Sequence, residues 1–364
     1  MFSESIFFLS STTDSNKGDA KHIMKNQMKA LVLSAPNTVN KTDVPIPTYA
    51  SNEILIRTKA ATICTSDIVD MKYNPFNIPL PLIMGHEGAG IVVAVGDDVT
   101  DIKVGDEVTA HPVMPCYRCT SCTRGLPHLC DDMEHLGFNR TGVFAEYFVS
   151  RPDCVRIKPA GIGFAQASLM EPVCVCLEAL RRGNVHEGSR VLIIGDGPFG
   201  VLMAKLAYAY KPMQVILTGR HDFRMHQAAP AETLNEKQTP DIAGAIMDLT
   251  GGEGIDSAIL CVSSPQAMDT AVEVLRARGI VSVFSAISGK TPVDLFKVHV
   301  KELTIAGACN DENFMDEAMA LLEDPALNLG GIITHEVPFD NWEQAFDQAE
   351  NGKTSGLKVS MIFD

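Results

Sequence analysis

From Met28 onward, apolar residues recur in short runs broken by Gly, Pro and Asp: Lys29–Leu33, Glu53–Thr58, Gly90–Val95, Asp106–Thr109 and Ala145–Val149. Runs of that length and spacing predict strands of a β-rich unit, a distorted barrel. The period changes after Pro172, where an apolar helical stretch reaches about Arg182 and strand and helix signals then alternate. Arg190–Ile194, Gln214–Thr218, Asp256–Val262, Gly279–Phe284 and Leu303–Ala306 are apolar enough to be buried on both faces. That pattern predicts a parallel sheet in a doubly wound α/β arrangement. Gly356–Met361 predicts a last strand, and the tail is expected to return to the first unit. The expected fold class is α/β, with a β-rich domain over 28–175, a doubly wound domain over 176–309 and a C-terminal return over 310–364.

At 364 residues the chain exceeds what one core usually holds, in keeping with two domains. The apolar fraction of 46% and charged fraction of 21% are those of an ordinary globular protein. A formal net charge of −15 with no basic stripe argues against nucleic acid as a partner. Residues 1–27 differ from the rest: Ile6–Leu9 is their one apolar run, without a preceding basic segment, and Ser10–Asp19 is small and polar. They read as a disordered extension or an upstream start ahead of Met28, with a short docking arm as the alternative, rather than a secretion signal. No run approaches a membrane span, so no membrane partner is expected and the expected location is cytoplasmic.

Four of the ten cysteines, Cys116, Cys119, Cys122 and Cys130, form a C-x2-C-x2-C-x7-C run. The spacing is too tight for two independent disulfides but lets one loop wrap four thiolates around a single Zn²⁺, a closed structural site. Cys154, Cys261 and Cys309 sit in apolar surroundings and read as small core residues.

Gly195-Asp196-Gly197-Pro198-Phe199-Gly200 follows the strand Arg190–Ile194 and opens an apolar helix over Val201–Tyr208. This is the context in which a G-x-G-x-x-G run binds a dinucleotide: Gly195 makes the tight turn, Gly197 admits the pyrophosphate and Gly200 permits close helix packing. The helix N-terminus then offers free N–H groups to the phosphates. At the end of the second strand, where an NAD site carries an acid, stands Gly219. Arg220 follows, with Arg224 one turn later, which suits a 2′-phosphate and favours NADP over NAD; the alternative is that both arginines are solvated surface charges.

Cys64-Thr65-Ser66-Asp67, Gly85-His86-Glu87-Gly88-Ala89-Gly90, Val104-Gly105-Asp106-Glu107-Val108, the four-cysteine lobe, Glu171-Pro172 and the glycine fingerprint together resemble the medium-chain zinc-dependent alcohol dehydrogenases, in particular their polyol and threonine dehydrogenase branch. The resemblance covers essentially Met28 to Asp364 and implies a GroES-like catalytic domain, a Rossmann cofactor domain, two zinc ions per chain, and a homodimer or homotetramer built through cofactor-domain sheet edges. It also implies a catalytic zinc on Cys64, His86 and Glu87, with Glu171 either a fourth ligand or the partner of the water on the zinc. One thiolate, one imidazole and one or two carboxylates leave a coordination position open for an alcohol oxygen, whose pKa the zinc lowers so that hydride passes to the nicotinamide. Ser66, two residues beyond Cys64, is placed to accept a hydrogen bond from the alcohol and begin a proton relay. The family often carries a histidine five residues after the cysteine ligand; here Val69 stands there, which leaves the relay beyond Ser66 open. Cys174, three residues after Glu171, lies on the same helical face and is an alternative ligand, although a buried bystander role suits both it and Cys176.

The expected activity is hydride transfer between a polyol or secondary alcohol and a nicotinamide cofactor, in the cleft between the domains. An L-threonine 3-dehydrogenase or a simple alcohol/carbonyl reductase is the enzymatic alternative. A zinc-stabilised nucleotide sensor without turnover is the non-enzymatic one.

Overall fold

The computed structural model describes residues 26–287 and 289–364. Most of the expected N-terminal extension therefore lies outside the described residues. The first strand, Gln27–Ala35, already pairs at Gln27 with Pro45 of the strand Thr38–Pro45.

The N-terminal half and the C-terminal tail share a seven-stranded sheet. Its centre is Ile54–Thr62, which pairs antiparallel with Glu87–Val95 on one side and Lys358–Ile362 on the other. Central position explains its near-complete burial, whereas Thr38–Pro45 sits on a separate three-stranded sheet and is mostly exposed. The tail contributes Ile333–Pro338 and Lys358–Ile362 as parallel neighbours. The helix Trp342–Asn351 lays Ala345 and Phe346 onto the same core as Val359 and Met361. Register brings the ends of three strands to one point, since Thr62 faces Glu87 on one neighbour and Ser360 on the other.

The cofactor-type sheet has six parallel strands, in spatial order Glu232–Asn235, Gln214–Gly219, Arg190–Ile194, Ile255–Leu260, Leu275–Val283, Thr304–Gly307. Alternation along one strand feeds two cores. Val191 and Ile193 pack with the helices Met170–Arg182 and Pro198–Ala207, while Leu192 and Ile194 pack with Pro265–Val274 on the other face. Both faces are covered, which is why these strands read as unbroken apolar runs. The order reverses between Arg190–Ile194 and Ile255–Leu260, the switch point where open α/β sheets bind their ligands. Among the described residues no helix is long and apolar enough to cross a membrane.

Candidate active site

At the converging strand ends, Cys64 caps the helix Thr65–Tyr73, His86 precedes the strand Glu87–Val95, and Lys358 opens the last strand. Cys64, His86 and Glu87 each offer a ligand atom, all within 4.8 Å of one another. Asp67 orients the first two: one carboxylate oxygen accepts the Cys64 N–H at 2.8 Å and the other pairs with His86 Nδ1 at 3.1 Å. With Nδ1 so engaged, Nε2 faces the Glu87 carboxylate at 4.0 Å, the carboxylate–histidine arrangement that fixes an imidazole for a metal. Burial alone would lower the His86 pKa, but Asp67 and Cys64 outweigh it and push it well up. The Glu87 carboxylate is fully buried and answered by Lys358 Nζ at 2.6 Å and by the Thr62 hydroxyl.

Glu171 stands beside this set, not within it. It lies in the first turn of the helix Met170–Arg182, and its Oε2 is buried without a hydrogen-bond partner among the described residues. Burial, reinforced by Glu87 and opposed by His86, pushes its pKa up to about 7. A soft thiolate, a free imidazole nitrogen and an unanswered carboxylate oxygen suit a catalytic zinc. Cys174 does not join them. It clusters with His111 and Asp311, whose Nε2 and Oδ1 are 2.6 Å apart. Ser66 is exposed in the first helical turn after Cys64, and Val69 is exposed three residues on.

The sulfurs of Cys116, Cys119, Cys122 and Cys130 also lie within 4.8 Å of one another. All four thiols are free, and backbone N–H groups of Cys116, Cys119 and Asp131 point at sulfurs from 3.3 to 3.4 Å. The Arg118 backbone N–H holds Cys116 down at about 7, whereas burial and the neighbouring sulfurs push Cys122 up to about 12 and raise Cys130, as crowded thiols do without a cation among them. A loop that aims N–H donors at four converging sulfurs is built for thiolates, and so fits zinc. Elsewhere Cys154 is buried and Cys261 half-buried, but Cys309 is exposed rather than part of the core, because it follows the edge strand Thr304–Gly307.

The fingerprint turn sits at the switch point. Gly195 has φ +121°, and a Cβ on Gly200 would lie 1.8 Å from the Gly195 carbonyl oxygen, so the turn and the helix start touch through glycine alone. Around Gly197 the space is open, and the helix Pro198–Ala207 begins there without a side-chain cap. Free N–H groups facing open space fit a dinucleotide pyrophosphate. Phe199 reaches from this turn to the metal-site strand, its ring 5.3 Å from Lys358 Nζ and 5.1 Å from the Phe284 ring.

A cavity of about 250 Å³ lies beyond the ends of the strands, lined by Asp196, Gly219, Arg220 and Glu236 among others. Arg220 is exposed there, but Arg224 is not brought to it. That side chain is buried and donates Nε to the Gly356 carbonyl at 3.0 Å, tying the cofactor sheet to the C-terminal return. The carboxylate of Asp196 fills the place next to Gly219, accepting the N–H groups of Arg220 and His221 at 2.8 and 2.6 Å. Sequence reasoning passed over Asp67 as an orienter, Lys358 as the answer to Glu87, and the His111–Asp311 pair. It also passed over His135, whose ring is 5.8 Å from that of His86 and whose pKa burial and His86 drive down to about 3. The separations along the chain hide them; a lone lysine in a strand signal was the one visible anomaly.

A β-rich domain with a cysteine–histidine–glutamate cluster, joined to a parallel sheet with a glycine turn at its switch point, defines a zinc- and nicotinamide-dependent dehydrogenase. Two family models match the chain: the alcohol dehydrogenase GroES-like domain over residues 50–159 and the zinc-binding dehydrogenase over 198–324. L-Threonine 3-dehydrogenase of Pyrococcus horikoshii is 32% identical, over 93% of this chain and 100% of that protein. Sorbitol dehydrogenase of Bacillus subtilis is 27% identical, over 93% and 98%. The crystal structure of a zinc-binding dehydrogenase from Sinorhizobium meliloti bound to NADP superposes with a TM-score of 0.87 at 26% identity, covering 93% of this chain and all of that one. The chain belongs to the zinc-dependent alcohol dehydrogenase family, and is an oxidoreductase acting on the CH–OH group of its donor with a nicotinamide cofactor.

Proposed function

We propose that this enzyme oxidises a polyol or secondary alcohol, with Cys64, His86, Glu87 and Glu171 around one zinc and Cys116, Cys119, Cys122 and Cys130 around a second. The observation that carries the reading is the convergence of Cys64, His86 and Glu87 at strand ends that Lys358 and Phe199 join to the cofactor turn. The catalytic zinc supplies a Lewis acid that lowers the pKa of the donor hydroxyl. The chain does the rest: Asp67 fixes Cys64 and His86, Lys358 and Thr62 hold the Glu87 carboxylate, and the exposed Ser66 accepts a hydrogen bond from the donor hydroxyl and takes its proton only as it passes its own to solvent. Residues 28–175 and 310–364 form the catalytic domain, and 176–309 the cofactor domain. A panel of polyols, secondary alcohols and L-threonine, followed by nicotinamide absorbance with each cofactor, tests the reading. Turnover of L-threonine alone would move the assignment to a threonine 3-dehydrogenase, the activity named for the Pyrococcus relative.

For the cofactor, Gly219 and the exposed Arg220 favour NADP(H), as does the NADP bound by the Sinorhizobium protein. Asp196 and Glu236 line the same cavity and favour NAD(H) as the second reading, because carboxylates accept ribose hydroxyls and repel a 2′-phosphate. Self-association through the cofactor sheet is supported by Thr304–Gly307, which pairs on one side only among the described residues. Ile305 is 41% exposed there, and Leu295 and Phe296, on the preceding helix Leu295–Lys301, are 72% and 74% exposed. Sedimentation velocity checks for a dimer or tetramer. Ten free cysteines suit a reducing, cytoplasmic location.

A further inference from the structure

Besides the group of His111, Cys174 and Asp311, a further cluster of ligand atoms lies outside both zinc sets. One imidazole nitrogen of His128 and one carboxylate oxygen each of Glu178 and Glu312 are within 4.8 Å of one another. They come from three separate parts of the fold: the turn Pro127–Leu129 of the cysteine lobe, the helix Met170–Arg182, and the segment leading into the helix Met315–Glu323. His128 is only 5% exposed, yet its Nδ1 is buried with no hydrogen-bond partner among the described residues. A buried polar nitrogen left unanswered loses its water without regaining a hydrogen bond, so such groups call for a partner. Glu178 is 3% exposed. The Arg182 guanidinium, one turn on, directs Nε to the Gly307 carbonyl at 3.0 Å. Burial first, and the Glu312 carboxylate after it, push the Glu178 pKa up to about 6 against the Glu312 backbone N–H and the Arg182 charge. The backbone around the cluster is fixed, since Asn310 Nδ2 donates to the His128 carbonyl at 2.8 Å.

We propose that His128, Glu178 and Glu312 bind a third divalent cation, of the class that takes mixed nitrogen and oxygen donors, with Mn²⁺ as its representative. One imidazole and two carboxylates, without sulfur, suit Mn²⁺ and leave the soft thiolate sets to zinc. Donors about 2.1–2.2 Å from an ion stand up to roughly 4.3 Å apart when opposite each other, so closure needs only a small turn of a side chain. Glu312 is exposed and free to make it. An ion here would clamp the lobe and the two parts of the chain that flank the cofactor sheet.

The test uses the full chain with both zinc sites loaded, titrated with Mn²⁺ and followed by the loss of the free-ion EPR signal. One Mn²⁺ per chain is expected with zinc content unchanged, and Glu312→Gln should weaken binding at least 10-fold. The melting temperature of the unmodified protein should rise with Mn²⁺, and that rise should vanish in Glu312→Gln. Since Glu312 is exposed, this variant folds even if the buried Glu178→Gln does not. No bound Mn²⁺ at millimolar concentration, or binding that Glu312→Gln leaves unchanged, would overturn the proposal. Zinc content and alcohol turnover, read on the same samples, separate that failure from failure of the dehydrogenase reading.

Discussion

Replacing Lys358 with methionine removes the cation that answers Glu87, and the structure sets the size of the effect. The two side chains are 2% and 0% exposed, and Nζ and Oε1 are 2.6 Å apart. Removing one member of a buried pair leaves the other charged in a medium that solvates it poorly, at about 3–5 kcal/mol. Against a typical stability of about 5–15 kcal/mol, Lys358→Met should lower the urea midpoint by about a fifth or more. The Thr62 hydroxyl stays on Glu87 and keeps the loss from being larger. The double variant Glu87→Gln/Lys358→Met removes both charges and should recover part of the loss, giving a coupling of about 1–3 kcal/mol in a double-mutant cycle. The sign with pH is also fixed. Burial would lower the Lys358 pKa, but Glu87 and Cys64 outweigh it and raise it above the usual lysine range. The stabilisation is therefore complete below the ordinary lysine value and is lost only as pH rises through the elevated one. Midpoints measured by circular dichroism at neutral pH, on protein stripped of the catalytic zinc so that no ion answers Glu87, decide it. A Lys358→Met midpoint equal to that of the unmodified protein, or single-variant losses that simply add in the double variant, would refute the reasoning.

Metal analysis should give two zincs per chain in samples not exposed to Mn²⁺, the lobe ion surviving Cys64→Ser and disappearing in Cys116→Ser, which should also lower the melting temperature. Ser66→Ala should reduce kcat by about 100-fold or more with little change in cofactor Kd; near-normal kcat would remove Ser66 from proton transfer. Arg220→Ala should raise KM for NADP(H) and leave NAD(H) nearly unchanged, whereas equal effects on both would favour the NAD reading. Gly219→Asp should damage binding of either cofactor rather than switch preference, because a Cβ at 219 would sit 2.4 Å from the Asp196 Cβ; isothermal titration with each cofactor checks this. A chain beginning at Asn26 should fold and assemble like the full chain, and one beginning at Met28 should lose the Gln27–Pro45 pairing and melt slightly earlier.

The sequence alone determined those features whose physics is local. Four sulfurs within fifteen residues, glycines at a strand-to-helix turn, and apolar runs with their period announce the lobe, the cofactor turn and the two sheets. Cys64, His86 and Glu87 stand out through the family resemblance of their motifs rather than by local physics, and only the fold brings the helix start at Cys64 beside the strand start at Glu87. Strands without an apolar run, Thr38–Pro45, Glu232–Asn235 and Ile333–Pro338, escaped notice because backbone pairing with a neighbour forms them. Tertiary structure alone decided what answers a buried charge. Lys358 reaches Glu87 across 271 positions because their strands flank a common central strand. It also turned Arg224 from the cofactor toward Gly356, and put Asp196 where an acid on the next strand had been expected. A pattern along the chain records which residues want burial or charge. Which partner satisfies them depends on sheet order and register, and those arise only when distant segments pack.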